Sequence, residues 1–213
     1  MHAVFFDMDG LLVDSEKVWL EVETEVMARL GGTWSPAHQA NLVGGSMDST
    51  VAYMLAASGS TVPAQAVSDW MAEGMVARLS DGVRVMPGAS ELLDALRAVG
   101  VPVGLVTSSF REIAEAVLKG FGGDRFDIVV TGDDVRRPKP DPEPYLTASD
   151  LLGVEPVRCV VLEDSPNGVA AATAAGCAVV AVPSLLPVEP GPRRLVVGSL
   201  TEVGVPDLRA LAA

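Results

Sequence analysis

Near the start of the chain an apolar run, Ala3, Val4, Phe5 and Phe6, ends abruptly in the carboxylates of Asp7 and Asp9. The run is too short for a helix, is rich in strand formers and is stopped by Gly10, so it reads as a buried strand. A strand apolar on both faces belongs in a parallel sheet covered by helices. In such sheets the ligand crevice lies beyond the carboxyl ends of the strands. An acidic turn after an edge strand would also read Asp-x-Asp, so the other strand ends decide between the two.

From Ser15, a candidate N-cap, the pattern turns helical. Val18, Trp19, Val22, Val26, Met27 and Leu30 recur at three- and four-residue spacing up to Gly31-Gly32. Further helical stretches follow at 36–42, 48–58 and 63–79 with no convincing strand between them. From Pro87-Gly88 helix and strand alternate again. Helices are expected at 89–99, 111–120 and 142–152, strands at 101–106, 127–130 and 159–162. A helix opened by Pro166, a strand at 178–182, a short apolar run at 195–197 and a weak last helix complete the series. The expected fold class is α/β, a doubly wound and mostly parallel sheet with an inserted α-helical cap. Residues 1–14 and 87–213 would form the catalytic core and 15–86 the cap, joined by two linkers able to act as a hinge.

The chain of 213 residues is 49% apolar, enough for a full core. The first apolar run is too short to span a membrane and no basic segment precedes it, so a cytoplasmic location without membrane attachment is expected. Cys159 and Cys177 show no metal-ligand spacing and read as small buried hydrophobes. The net charge is −13, the only lysines are Lys17, Lys119 and Lys139, and the arginines pair only at Arg136-Arg137 and Arg193-Arg194. That excludes a nucleic-acid surface. An anionic substrate would need local cations, and a bound metal would supply them.

Strand ends carry the remaining polar groups. The strand at 101–106 leads into Thr107-Ser108-Ser109, and that at 159–162 into Glu163-Asp164. Between them lies Lys139, flanked by prolines that stiffen its backbone. Asp7, Asp9, Glu163 and Asp164 gathered at one sheet edge would raise each other's pKa values unless a cation joined them. An all-oxygen donor set favours Mg²⁺. The Thr107 hydroxyl, the N–H groups of Ser108 and Ser109, and the Lys139 ammonium are candidate donors for phosphate oxygens. With phosphate there, Asp7 is the candidate nucleophile and Asp9 the acid and base, which requires Asp9 protonated while Asp7 is ionised.

Phe5-Phe6-Asp7-Met8-Asp9-Gly10, the Val106-Thr107-Ser108 step, Pro138-Lys139-Pro140 and Leu162-Glu163-Asp164-Ser165-Pro166-Asn167-Gly168 resemble the four motifs of the haloacid dehalogenase superfamily, in order and spacing. The helical insertion resembles the C1 cap of the branch containing β-phosphoglucomutase, 2-deoxyglucose-6-phosphatase and pseudouridine 5'-phosphatase. The resemblance implies Asp7 as nucleophile and Mg²⁺ ligand, and Asp9 as acid/base and carbonyl ligand. It places Thr107 and Lys139 on the phosphoryl group, and Asp164 with Glu163 on the metal. It also implies a monomer. The presence of Asp9 favours phosphoryl transfer over dehalogenation.

In the mutases of that branch a cap histidine and a cap-loop arginine serve the substrate; the corresponding positions here are Trp19 and Met47. A mutase must hold a second phosphate, which Met47 cannot do. The expected activity is therefore a phosphatase acting on a small phosphorylated metabolite, a sugar or sugar-alcohol monophosphate, with a sugar phosphomutase as the alternative if Arg78 replaces the missing cation. A non-catalytic sensor of phosphorylated metabolites is the reading outside enzymes, and the intact acid and lysine set speaks against it. The loop containing Gly44, Gly45, Ser46 and Met47 is expected to reach the site. Trp19 fits both cap core and substrate platform. Lys17 and His38 read as surface residues, Ser165 and Asn167 as turn formers, and Asp133 and Asp134 as either site acids or loop caps.

Overall fold

The alternation of side chains along the strands divides the interior in two. In the computed structural model, which describes residues 1–80, 82–122 and 125–213, β1 (Ala3–Phe6) is fully buried. Val4 and Phe6 enter one apolar cluster and Ala3 and Phe5 another. The other buried strands split the same way, because successive side chains leave opposite faces of a sheet. Helices must therefore cover both faces.

They do so around one parallel sheet of order β3-β2-β1-β4-β5-β6, comprising β2 (Val103–Val106), β3 (Ile128–Val130), β4 (Cys159–Glu163), β5 (Ala178–Ala181) and β6 (Arg194–Val196). Helices α5 (Ala89–Ala98), α6 (Arg111–Phe121) and α9 (Val205–Leu211) put Leu93, Val117 and Leu208 on the Phe6 face. On the Phe5 face, α7 (Glu143–Leu152) and α8 (Pro166–Ala174) contribute Tyr145 and Ala172. This is the expected doubly wound α/β class. β1 is central, with Phe5 opposite both Gly104 and Val161, so β2 and β4 end on either side of Asp7.

Some boundaries differ from expectation. β2 starts at Val103, because Pro102 has no N–H to give the ladder; its carbonyl still accepts from Val4 N at 3.0 Å. The run at 195–197 proves to be a sixth strand, shifted by one residue and paired with β5. Cys159 and Cys177 are buried free thiols, as expected.

Between β1 and α5 lie α1 (Glu16–Arg29), α2 (Pro36–Ala40), α3 (Met47–Ser58) and α4 (Ala64–Leu79). α1 and α3 pack on α4, and α4 also packs on α6. Met71 and Met75 thereby share one apolar cluster with Phe6 and Leu105. The two connections to this helical group run side by side: Asp14 N donates to the Arg84 carbonyl (2.8 Å) and Met86 N to that of Leu12 (2.9 Å).

Candidate active site

Asp7 follows β1 directly, and its N–H donates to the Leu162 carbonyl at 3.0 Å, which ties the residue to the end of β4. Lys139, between β3 and α7, is 4% exposed. Its Nζ donates to Asp7 Oδ1 (2.6 Å), Glu163 Oε1 (2.6 Å) and the Val106 carbonyl (2.9 Å). All three donor positions of the ammonium are thus directed.

Glu163 holds the lysine in turn. Its Oε1 also accepts from the Tyr145 hydroxyl of α7, and its Oε2 accepts from Asp164 N (3.2 Å) and Ser165 Oγ (3.3 Å). This carboxylate lies directly on the first turn of α8. A Cβ at residue 168 would come within 1.9 Å of Glu163 Oε1, so only Gly168 allows the approach. Ser165 caps the same helix, accepting from Gly168 N at 3.1 Å, and Pro166 opens it as the sequence implied.

Burial, then the charges of Glu163 and Asp164, push Asp7 well above the usual carboxylate range, against the opposing pull of Lys139. Asp164 is pushed up by burial and by Glu163. Burial alone would lower Lys139, but Asp7 and Glu163 outweigh it and hold the ammonium charged.

Asp9 stands apart from this group, contrary to the expectation that four acids would cluster. Its Oδ1 accepts from Ser15 Oγ (2.6 Å) and Trp19 Nε1 (2.9 Å), and its Oδ2 from Ser109 Oγ (2.8 Å). Ser15 therefore does not cap α1 with its side chain, as its position suggested. Its hydroxyl serves Asp9 instead. The Ser109 N–H is likewise engaged, donating to Thr107 Oγ1 at 3.0 Å, while the Ser108 hydroxyl is buried with no partner among the described residues.

Carboxylate oxygens of Asp7, Glu163 and Asp164 lie within 4.8 Å of one another. Those of Glu163 are both engaged, and Ser184 Oγ takes Asp164 Oδ2. Among the described residues, Asp7 Oδ2 and Asp164 Oδ1 have no protein donor, so one oxygen from each is open to a cation. Gly10 makes room beside them: its φ is +78°, and a Cβ there would lie 2.2 Å from Asp164 Oδ2. Two carboxylates and no nitrogen or sulfur suit a hard divalent ion, whose charge would act against the upward push on both acids.

The pocket above these groups is lined by Trp19 and by the loop through Gly45, Ser46 and Met47. Met47 is also buried in the apolar cluster, so it packs and faces the site together. Arg78 does not stand in for a cap-loop arginine: it pairs with Glu25 and Glu21 and does not line the pocket. Lys17 is exposed, but His38 is half-buried and stacks on Trp34 with centroids 5.0 Å apart. Asn167 Nδ2 donates to the Val43 carbonyl (3.3 Å), joining α8 to the pocket loop. Asp133 and Asp134 accept from Thr131 Oγ1 (both 2.7 Å) and Arg111 and belong to a loop, not to the site.

Two pocket residues gave no signal in the sequence. Glu16 and Glu23 both line the cavity from α1, and both are pushed up to about 7 by burial. The nearby charge of Asp9 adds to the shift of Glu16, while the Trp34 hydrogen bond opposes that of Glu23.

Residues 1–176 match the haloacid dehalogenase-like hydrolases, and the protein belongs to that family. It is 34% identical over 214 residues to hexitol phosphatase B of Escherichia coli, an alignment covering 97% of this chain and 96% of the relative. Hexitol phosphatase A of the same organism is 35% identical over 188 residues, covering 83% and 81%. A crystal structure of CbbY from Rhodobacter sphaeroides in complex with phosphate superposes with a TM-score of 0.90 at 28% identity, over 98% of this chain and 99% of that one. The chain is accordingly a phosphomonoester hydrolase. No helix among the described residues is long and apolar enough to cross a membrane.

Proposed function

We propose that the protein is a Mg²⁺-dependent phosphatase that hydrolyses a sugar or sugar-alcohol monophosphate through an aspartyl-phosphate on Asp7. The observation that carries this reading is the triangle of Asp7, Lys139 and Glu163, which sets a nucleophile beside a fixed ammonium in the pocket. The hexitol phosphatase relatives support the substrate class.

Asp7 and Asp164, with the Asp9 carbonyl, would hold the Mg²⁺, and Glu163 positions Lys139 instead of ligating. When bound, the ion neutralises phosphate oxygens and counters the repulsion between substrate and acids. Lys139, Thr107 and Ser108 bind the phosphoryl oxygens. An Asp7 oxygen attacks phosphorus in line as the bond to the sugar oxygen breaks, and Asp9 gives that oxygen its proton. Asp9 then takes a proton from water as the water attacks the aspartyl-phosphate. Phosphate leaves and Asp7 is restored.

Residues 15–86 act as the cap and the paired linkers as its hinge. Ser15 and Trp19 on the cap side orient Asp9, so cap closure and placement of the acid are linked. A phosphomutase fits less well, because Met47 and the outward Arg78 leave no cation for a second phosphate. The test is phosphate release from a panel of sugar, polyol and nucleoside monophosphates, with Mg²⁺ and with chelator, beside Asp7→Asn. Metal-dependent release lost in the variant is expected; turnover by Asp7→Asn would overturn the covalent route.

A further inference from the structure

Glu16, Trp19 and Glu23 fall at i, i+3 and i+7 on α1 and so share one helical face, and all three line the pocket. Seven residues at a 1.5 Å rise separate the two glutamates by about 10 Å along the axis, roughly the reach of an extended hexitol. Glu16 stands close enough to Asp9 and Asp7 to feel their charges. Glu23 is two turns further along.

Glu23 is held firmly. It is 4% exposed, and its Oε2 accepts from Trp34 Nε1 at 2.8 Å. Trp34 is itself packed against His38 and Tyr53. No donor among the described residues reaches Glu23 Oε1. Glu16 Oε2 has only a long contact, 3.4 Å, from Gln39 Nε2, which bonds better to the Glu16 carbonyl at 2.9 Å. Acceptor oxygens on this wall are therefore free.

Among the described residues lining the pocket, Lys139 is the one cation, and it is already bound to Asp7 and Glu163. A second phosphate or carboxylate on the substrate would be desolvated against two carboxylates with nothing to pair it. Hydroxyl groups, in contrast, donate to carboxylates in charge-assisted bonds. We infer that Glu16 and Glu23 are the specificity residues of the pocket, accepting hydrogen bonds from the hydroxyls of an uncharged polyol chain and rejecting substrates with a second anionic group. This rests on the phosphatase reading above for the position of the phosphate.

The experiment, run at about pH 8.5 where both glutamates are ionised, compares wild type, Glu23→Gln and Glu16→Gln on sorbitol 6-phosphate, fructose 1,6-bisphosphate and acetyl phosphate, which has no polyol. Glu23→Gln is expected to raise KM for sorbitol 6-phosphate about tenfold or more, the loss of one charge-assisted bond. Its loss in kcat/KM is expected to be about fivefold or more larger on sorbitol 6-phosphate than on acetyl phosphate, and the preference of wild type against the bisphosphate to narrow in both variants. Equal losses on sorbitol 6-phosphate and acetyl phosphate, or wild-type turnover of the bisphosphate as fast as of sorbitol 6-phosphate, would overturn the inference. Calorimetric binding of sorbitol 6-phosphate to Asp7→Asn, alone and combined with Glu23→Gln, reads the subsite without turnover. If no substrate is hydrolysed but the second change still weakens sorbitol 6-phosphate and spares inorganic phosphate, the phosphatase reading fails and the subsite stands. Equal binding by both forms refutes the subsite.

Discussion

Replacing Glu23 by Gln is expected to make the protein more stable at alkaline pH, by an amount that follows from its surroundings. Burial moves this carboxyl from an ordinary 4.5 to about 7. The native state therefore keeps a proton that the unfolded chain has already released, and stability falls as pH rises through this interval. Above pH 7 the whole difference is felt, about 3 kcal/mol at 1.36 kcal/mol per tenfold. Over the practical range from about pH 5.5 to 8.5 the part still to be lost is about 2 kcal/mol. Gln fills the same volume and its amide oxygen can still accept from Trp34, but it does not titrate. Urea unfolding in chelator across that range, with Glu16→Gln present in both proteins because the Glu16 carboxyl feels the Glu23 charge, gives the answer. The difference in unfolding free energy, with Glu23→Gln minus without it, is expected to grow by about 2 kcal/mol between the two ends. Parallel stability curves would refute the argument and place Glu23 in contact with water.

Gly168→Ala, whose Cβ would meet Glu163 Oε1 at 1.9 Å, is expected to displace Glu163, cut phosphate release about a hundredfold and cost roughly 2 kcal/mol or more; full activity would show that Glu163 does not position Lys139. Millimolar Mg²⁺ is expected to raise the Tm of wild type and not of Asp164→Asn, since only a ligand bound to the folded state does so; an equal rise in both would put the ion elsewhere. Ser15→Ala removes a 2.6 Å donor from Asp9 and is expected to lower kcat about tenfold with little change in stability, because that hydroxyl does not cap α1. A stability loss without a kinetic effect would reverse this assignment. Arg78→Ala breaks exposed ion pairs worth no more than about 1 kcal/mol and is expected to leave KM unchanged for every substrate; a raised KM for bisphosphates would restore the mutase alternative.

The sequence alone determined the parallel character of the sheet, five of its six strands, the order of its helices and the placing of Asp7, Thr107, Lys139 and Asp164. These follow from local rules: side chains alternate along a strand, and a parallel sheet gathers its carboxyl ends at one edge. It also indicated the helical group after β1 and the loop that reaches the pocket. Tertiary structure decided the partners. Whether the Ser15 hydroxyl caps a helix or binds Asp9, whether Asp133 faces the site or a loop, and where Arg78 points all depend on elements far apart in the chain meeting at particular angles. Tyr145 on Glu163 and Ser184 on Asp164 join residues 18 and 20 positions apart, and no periodic pattern marks them. Glu23 is the clearest case. On an amphipathic helix it reads as one more surface acid, and only the packing of Trp34 over α1 turns it into a buried carboxylate facing the substrate.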